Sequence, residues 1–179
     1  MMRDTLYYYI ETENALGFKK DYKDRKYSFV ALLPNENITL EEYINSLDAG
    51  ELLESIGNVK SGVVYTAIPK FSYDYELRMK DVLKELGIPT AFDAGCADFS
   101  SMGKYEDGNI FISQVIHKTS ITVGERGTRA GAVTAVIMDG ASSAPVEPKE
   151  IILDRPFLYM IIDNETDLPI FIGTLTSIE

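Results

Sequence analysis

Cysteine occurs once, at Cys96, and histidine once, at His117. A single thiol excludes an internal disulfide framework and a cysteine zinc site. A single imidazole leaves little for metal chemistry or a catalytic triad. Cations are scarce too: 17 Lys and Arg stand against 28 Asp and Glu, a net charge of −11. A surface that acidic repels nucleic acid and anionic membranes. No apolar run approaches the ~20 residues that span a bilayer. The start, Met1-Met2-Arg3-Asp4-Thr5, has no apolar segment of the kind a signal peptide carries. Internal repeats and low-complexity tracts are also missing. What remains is ordinary for a globular chain: 179 residues, 45% hydrophobic and 25% charged. Disorder and fibrous repeats are excluded. Length alone suggests one domain that buries ~70% of its unfolded surface.

The order of elements follows from local patterns. Leu6-Tyr7-Tyr8-Tyr9-Ile10 reads as a strand. Lys19 to Lys26 reads as charged and turn-like. Tyr27 to Leu33 is apolar nearly throughout and ends at Pro34, the pattern of a strand buried on both faces. Thr39-Leu40-Glu41-Glu42 is a capping box. Leu40, Tyr43, Ile44 and Leu47 then form one apolar helical stripe. A second short helix covers Glu51 to Ile56 and stops at Gly57-Asn58. Ser61 to Leu77 is a long β stretch broken by Pro69. Arg78 to Leu86 reads as a helix with Met79, Val82, Leu83 and Leu86 on one face, ended by Gly87 and Pro89. Ala91 to Gly108 is loop-like, and Asn109 to Val123 returns to β. Ile151 to Leu153, Phe157 to Ile162 and Ile170 to Leu175 close the chain, the last two as an apolar hairpin. Strands outnumber helices, so the class is α+β with largely antiparallel pairing.

Gly124 to Pro148 differs from its surroundings. It is rich in Gly, Ala, Ser, Thr and Pro and has no aromatic residue. A loop of about 25 residues is uncommon in a compact domain and is usually functional or disordered. Its first half nevertheless alternates like a strand. Thr128, Ala130, Ala132, Thr134, Val136 and Met138 are small or apolar, while Arg129 and Asp139 put charge only on the other face.

Four segments resemble the serpin family. Glu125-Arg126-Gly127-Thr128-Arg129-Ala130-Gly131-Ala132-Val133-Thr134 resembles the hinge of the reactive-centre loop. Ile151-Ile152-Leu153-Asp154-Arg155-Pro156-Phe157-Leu158-Tyr159-Met160-Ile161 is similar to the family signature that follows that loop. Ser113-Gln114-Val115-Ile116-His117-Lys118-Thr119 resembles the central strand that enters the hinge. Ile68-Pro69-Lys70-Phe71, Leu83 to Phe92 and Ala97-Asp98-Phe99-Ser100 resemble the strand, helix and turn before it. These motifs stand in family order and spacing over essentially the whole chain.

The resemblance implies a serpin-like, mainly antiparallel multi-sheet fold with a few short helices, of which this chain is the C-terminal portion only. Residues 1–179 are then part of a single serpin domain, with 125–148 as hinge and reactive-centre loop. A whole serpin is about twice this length, and Met1-Met2 resembles the end of the family's mid-chain V-x-M-M strand. The N-terminal helices and several strands of the main sheet are expected elsewhere. An extracellular setting would require a signal on the parent chain.

The implied activity is suicide inhibition of serine proteases, without cofactor, metal or catalytic residues of its own. The cleaved loop inserts as a strand in the main sheet, and its small inward residues can enter without large desolvation cost. The hinge residues are Glu125, Gly127, Thr128, Ala130, Ala132 and Thr134. Arg129 departs from the family's acidic residue, but it lies on the outward face. Family spacing from Gly127 places the reactive bond at Ala141–Ser142, with Met138, Gly140 and Ser142 as fallback positions. A small residue there suits an elastase-like target. No Arg or Lys lies between Arg129 and Lys149, which argues against trypsin-like targets.

His117 and Lys70 take conformational-control roles by resemblance. His117 falls at the "shutter" beneath the main sheet. Lys70 and Glu125 resemble the pair closing the sheet where the loop enters; the plain alternative is two unrelated surface charges. Asp154, Pro156 and Phe157 belong to the signature and are expected to serve folding. Cys96 reads as a small buried or loop thiol. The expected partners are a target serine protease and the missing N-terminal half. The competing reading is an interaction protein that self-associates through open sheet edges. The isolated chain is expected not to inhibit, having too few strands to receive the loop.

Overall fold

The structure, a computed structural model, describes residues 1–106, 108–125 and 147–178. They fall into two compact units, one of Met1–Lys70 with Val123–Glu179 and one of Phe71–Thr122. The first unit contains β1 (Met2–Glu11), β2 (Ala15–Asp21), β3 (Tyr27–Pro34), α1 (Leu40–Ser46), α2 (Ala49–Gly57) and β4 (Lys60–Ile68). The second begins with β5 (Phe71–Arg78), α3 (Lys80–Glu85) and a short 3-10 turn at Thr90–Phe92, and ends with β6 (Ile116–Val123). The chain then completes the first unit with β7 (Lys149–Ile152), β8 (Phe157–Asp163) and β9 (Pro169–Leu175).

Among the described residues the first unit is built on a seven-stranded sheet ordered β7-β4-β1-β2-β3-β8-β9. Its pairings are antiparallel except β4 with β7. This is the strand-rich α+β arrangement expected from the sequence. β3 lies between β2 and β8 and is buried along almost its whole length. On one face Val30 and Leu32 join Leu158, Met160 and Ile162 of β8 under Leu40 and Tyr43 of α1 and Ile56 of α2. On the other, aromatic rings stack in a row. Phe29 and Tyr159 have centroids 5.9 Å apart, and Tyr159 and Phe171 are 6.0 Å apart. Burying each large apolar side chain contributes roughly 1.5–3 kcal/mol, so this two-sided strand is the stabilising centre of the unit.

The helices follow from their caps. The Thr39 hydroxyl accepts from the Glu42 amide at 3.2 Å, and the Glu42 carboxylate accepts from the Thr39 amide at 2.8 Å. That reciprocal pair satisfies two donors that the first turn of α1 leaves open. Asp48 caps α2 in the same sense, accepting from Gly50 and Glu51.

Three expectations from the sequence differ. Lys19 to Asp21 belongs to β2 rather than to a turn. The lysine stems lie along the sheet while their ammonium groups reach carboxylates: Lys20 lies 2.7 Å from Asp4 and Lys19 3.3 Å from Asp167. Gly17 also lets β2 approach β3 closely, since a Cβ there would run into the Ala31 carbonyl and Leu32. Residues 109–115 are not a strand; the ladder begins only at Ile116. Backbone groups here bond to other segments instead, with the Ile112 amide donating to Ala91 and the Val115 carbonyl accepting from Met79. The expected helix over 78–86 is shorter, Lys80–Glu85, and none of its residues is buried. Gly87, at φ +96°, terminates it.

The second unit is slighter. β5 and β6 form a two-stranded sheet held partly by Lys118 with Glu76 at 2.8 Å and by the Ser72 and Thr122 hydroxyls at 2.9 Å. Most side chains of both strands are exposed or half-buried.

Candidate functional site

The segment singled out in the sequence has two feet, and both are described. At the first foot, β6 ends at Val123 and Gly124-Glu125 follows. Glu125 Oε1 lies 2.8 Å from Nζ of Lys70, which follows Pro69 just beyond the end of β4. Both side chains are exposed, 71% for Glu125 and 55% for Lys70. The hydrogen bond and charge of Lys70 hold the Glu125 carboxyl below the usual carboxylate range.

At the second foot, Pro148 leads into β7. This edge strand pairs in parallel with β4, from Val64 opposite Lys149 to Ala67 opposite Ile152. Ile151 and Leu153 are fully buried, and the Leu153 amide donates to the Ala67 carbonyl at 2.9 Å. These contacts fix the chain as it leaves β7. Asp154 and Pro156 are exposed, whereas Phe157 is fully buried at the start of β8, its ring 6.2 Å from that of Tyr159. Arg155 donates to the Pro34 carbonyl at 2.8 Å, tying this turn to the end of β3.

The remaining loop positions, Gly127, Thr128, Ala130, Ala132, Thr134, Ala141 and Ser142, lie outside the described residues. His117 is exposed on β6. Cys96 is exposed in a turn after the 3-10 element, where its amide donates to Asp93 at 3.0 Å and the Gly95 amide donates to the same oxygen at 2.7 Å. Those two backbone bonds lower the Asp93 pKa. Among the described residues, no three His, Cys, Asp or Glu side chains gather in a way that could hold a metal ion. No described helix is long and apolar enough to cross a membrane.

Sequence reasoning missed a charge cluster beside the second foot. Lys149 Nζ lies 2.6 Å from Glu11 Oε1, and Lys60 Nζ lies 2.9 Å from Glu11 Oε2. Nothing in local spacing announces a contact among residues so far apart in the chain.

Glu125 is thus tied to Lys70, and Lys149–Ile152 to β4, on a strand-rich scaffold. The family model for Serpin (serine protease inhibitor) matches residues 1–178, and the chain belongs to the serpin family. That family is one of serine protease inhibitors, not of enzymes, and its partner class is serine proteases. The chain is 32% identical over 170 residues to an uncharacterized serpin-like protein of Thermococcus kodakarensis, covering 93% of this chain and 38% of that protein. It is 35% identical over 145 residues to plasminogen activator inhibitor 1 of Neovison vison, covering 81% and 35%. Among solved structures, the thermophilic serpin tengpin in its native state matches with TM-score 0.85 and 48% identity, over 99% of this chain and 46% of that one. A loop C-sheet serpin polymer matches with TM-score 0.75 and 41% identity, over 99% and 46%. The chain therefore spans less than half the length of these relatives and is a partial serpin domain.

Proposed function

We propose that this chain is the loop-bearing C-terminal portion of an inhibitory serpin, acting on a serine-type endopeptidase as a suicide substrate. Residues 125–148 serve as hinge and reactive-centre loop. The protease serine attacks the Ala141 carbonyl, the Ala141–Ser142 bond breaks, and Ser142 leaves with a new amino group. Ala141 remains as an ester on the protease. The hinge, Gly127 to Thr134, then enters the main sheet as a strand, and the acyl-enzyme is trapped before water can cleave it. Stored free energy of the native fold drives that step.

The observation carrying this reading is the alternation of small residues from Thr128 to Met138. A strand inserted into a sheet must bury one face, and this face holds no charge. Lys70 and Glu125 act as a latch against premature entry, and His117 acts in the opening of the sheet. Asp154, Pro156 and Phe157 serve folding, in keeping with the burial of Phe157. The test is to mix the full-length parent with an elastase-like protease and separate the products on a denaturing gel. A covalent band at the summed mass supports inhibition. Cleavage with full protease activity remaining refutes it. The isolated 179-residue chain yields no such band, because its share of the main sheet is too small to receive the loop.

A second reading, association with the complementary half or with another copy, is favoured by one edge of the sheet. Ile170 and Ile172 on edge strand β9 are 59% and 57% exposed. A long apolar edge of this kind recruits a further strand. Size measurement of the isolated chain tests the pairing of copies, which predicts a mass above that of the monomer and is contradicted by a strict monomer. Mixing it with the complementary half tests the other pairing, which is contradicted if the two do not co-elute.

A further inference from the structure

We propose that Glu11 is a three-strand clasp that holds the edge strand β7, and with it the second foot of the loop, on the sheet. In the order β7-β4-β1, the carboxylate on β1 reaches across to cations on both other strands. Glu11 Oε1 takes Lys149 of β7 at 2.6 Å, and Oε2 takes Lys60 of β4 at 2.9 Å. Lys149 Nζ also lies 4.9 Å from the centre of the Tyr9 ring, again on β1.

The need for such a clasp follows from β7 itself. It has four residues and, among the described residues, pairs on one side only, in parallel. Parallel pairing is slightly weaker per residue than antiparallel, and a short edge strand has no second neighbour. Ile151 and the following Leu153 are buried, so the downstream end is anchored by packing. Lys149, at the end next to the loop, is held by backbone pairing and by its contacts with Glu11 and Tyr9. The carboxylate does more than attract. It separates two ammonium groups that bind its two oxygens, so its removal leaves Lys60 and Lys149 facing each other as like charges. Attraction between β7 and the rest of the sheet then becomes repulsion. In keeping with that geometry, the Glu11 carboxyl is held below the usual range by Lys149 first and Lys60 second. When β7 lifts, the backbone groups of β4 from Val64 to Ala67 lose their partners and become an open sheet edge.

This inference rests on strand pairing alone and does not depend on inhibition. Its test is amide hydrogen exchange of the 179-residue chain, wild type and Glu11→Gln, at low and high salt. Exchange across 149–152 is expected to rise about threefold or more in the variant, the scale of exposed ion pairs, with 157–162 unchanged. High salt should loosen this strand in the wild type, by screening the attraction, and tighten it in the variant, by screening the Lys60–Lys149 repulsion. Lys149→Met alone should loosen the strand less than Glu11→Gln does, and in the Glu11→Gln background it should relieve part of the loosening by removing the like-charge repulsion. Unchanged exchange at 149–152, or equal acceleration in the core strand β8, overturns the clasp. Glu125→Gln, at the other foot, serves as the control and should leave 149–152 as in the wild type.

Discussion

β3 with β8, and β5 with β6, are both pairs of sheet neighbours seven or eight residues long, yet they live in different environments. β3 is buried on both faces, and nearly all of β8 is buried. β5 and β6 are mostly exposed, with a single buried residue, Ile121, on β6. The first pair is a finished core, with helices on one face and stacked rings on the other. The second is a two-stranded sheet, which in isolation is marginal in water. β3 and β8 are thus covered by residues of this chain, whereas β5 and β6 have little of this chain packed against them, and the chain spans less than half the length of the relatives it matches.

The largest effect should come from the finished core. Phe29→Ala removes a ring held between Phe18 and Tyr159 and is expected to cost about 3–5 kcal/mol in chemical denaturation. Tyr75→Ala on β5, half-exposed in this chain, should change stability by no more than about 0.5 kcal/mol. Equal losses at the two sites would erase the distinction between the regions. Hydrogen exchange should separate them next, with amides of 157–162 protected far longer than those of 116–123.

A smaller effect sharpens the description of the core. Tyr43 is buried under α1, its hydroxyl has no hydrogen-bond partner among the described residues, and burial pushes its pKa up to about 12. Tyr43→Phe should therefore leave stability unchanged or raise it, because an unsatisfied polar group is removed at nearly constant shape. A clear loss in the melting temperature would mean that the hydroxyl is satisfied.

The smallest effect concerns the first foot. Lys70 lowers the Glu125 pKa, so the pair contributes stability above the ordinary value of 4.5 and loses it as pH falls through the depressed folded value. Lys70→Met should move the Glu125 carboxyl back up toward 4.5 in an NMR titration. An unchanged titration would show that the pair does not form in solution.

What could be read from the sequence was what local order dictates. Tyr27 to Leu33, apolar at successive positions, needs both faces covered, and β3 has them covered. Thr39 and Glu42 stand at capping-box spacing and make that box. Segments whose state depends on distant partners were read poorly. Lys19 and Lys20 look like turn residues until Asp4 and Asp167 are brought beside them. Ile110 to Val115 has strand composition, but its backbone bonds to loop and helix-start groups. Of the site, the Lys70–Glu125 pair was expected only through the resemblance of the motifs around it, since the two residues lie far apart in the chain, and the alternation from Thr128 to Met138 falls outside the described residues. The Glu11 cluster was not legible, because it joins positions 11, 60 and 149 through sheet order alone.

The central claim is that the loop is cleaved once and then traps its protease. The most direct measurement is mass spectrometry of the products formed by the full-length parent and an elastase-like protease. The account predicts a released peptide beginning at Ser142, with the remainder of the parent esterified to the protease serine through Ala141. Two free fragments beside an unmodified, active protease would contradict it.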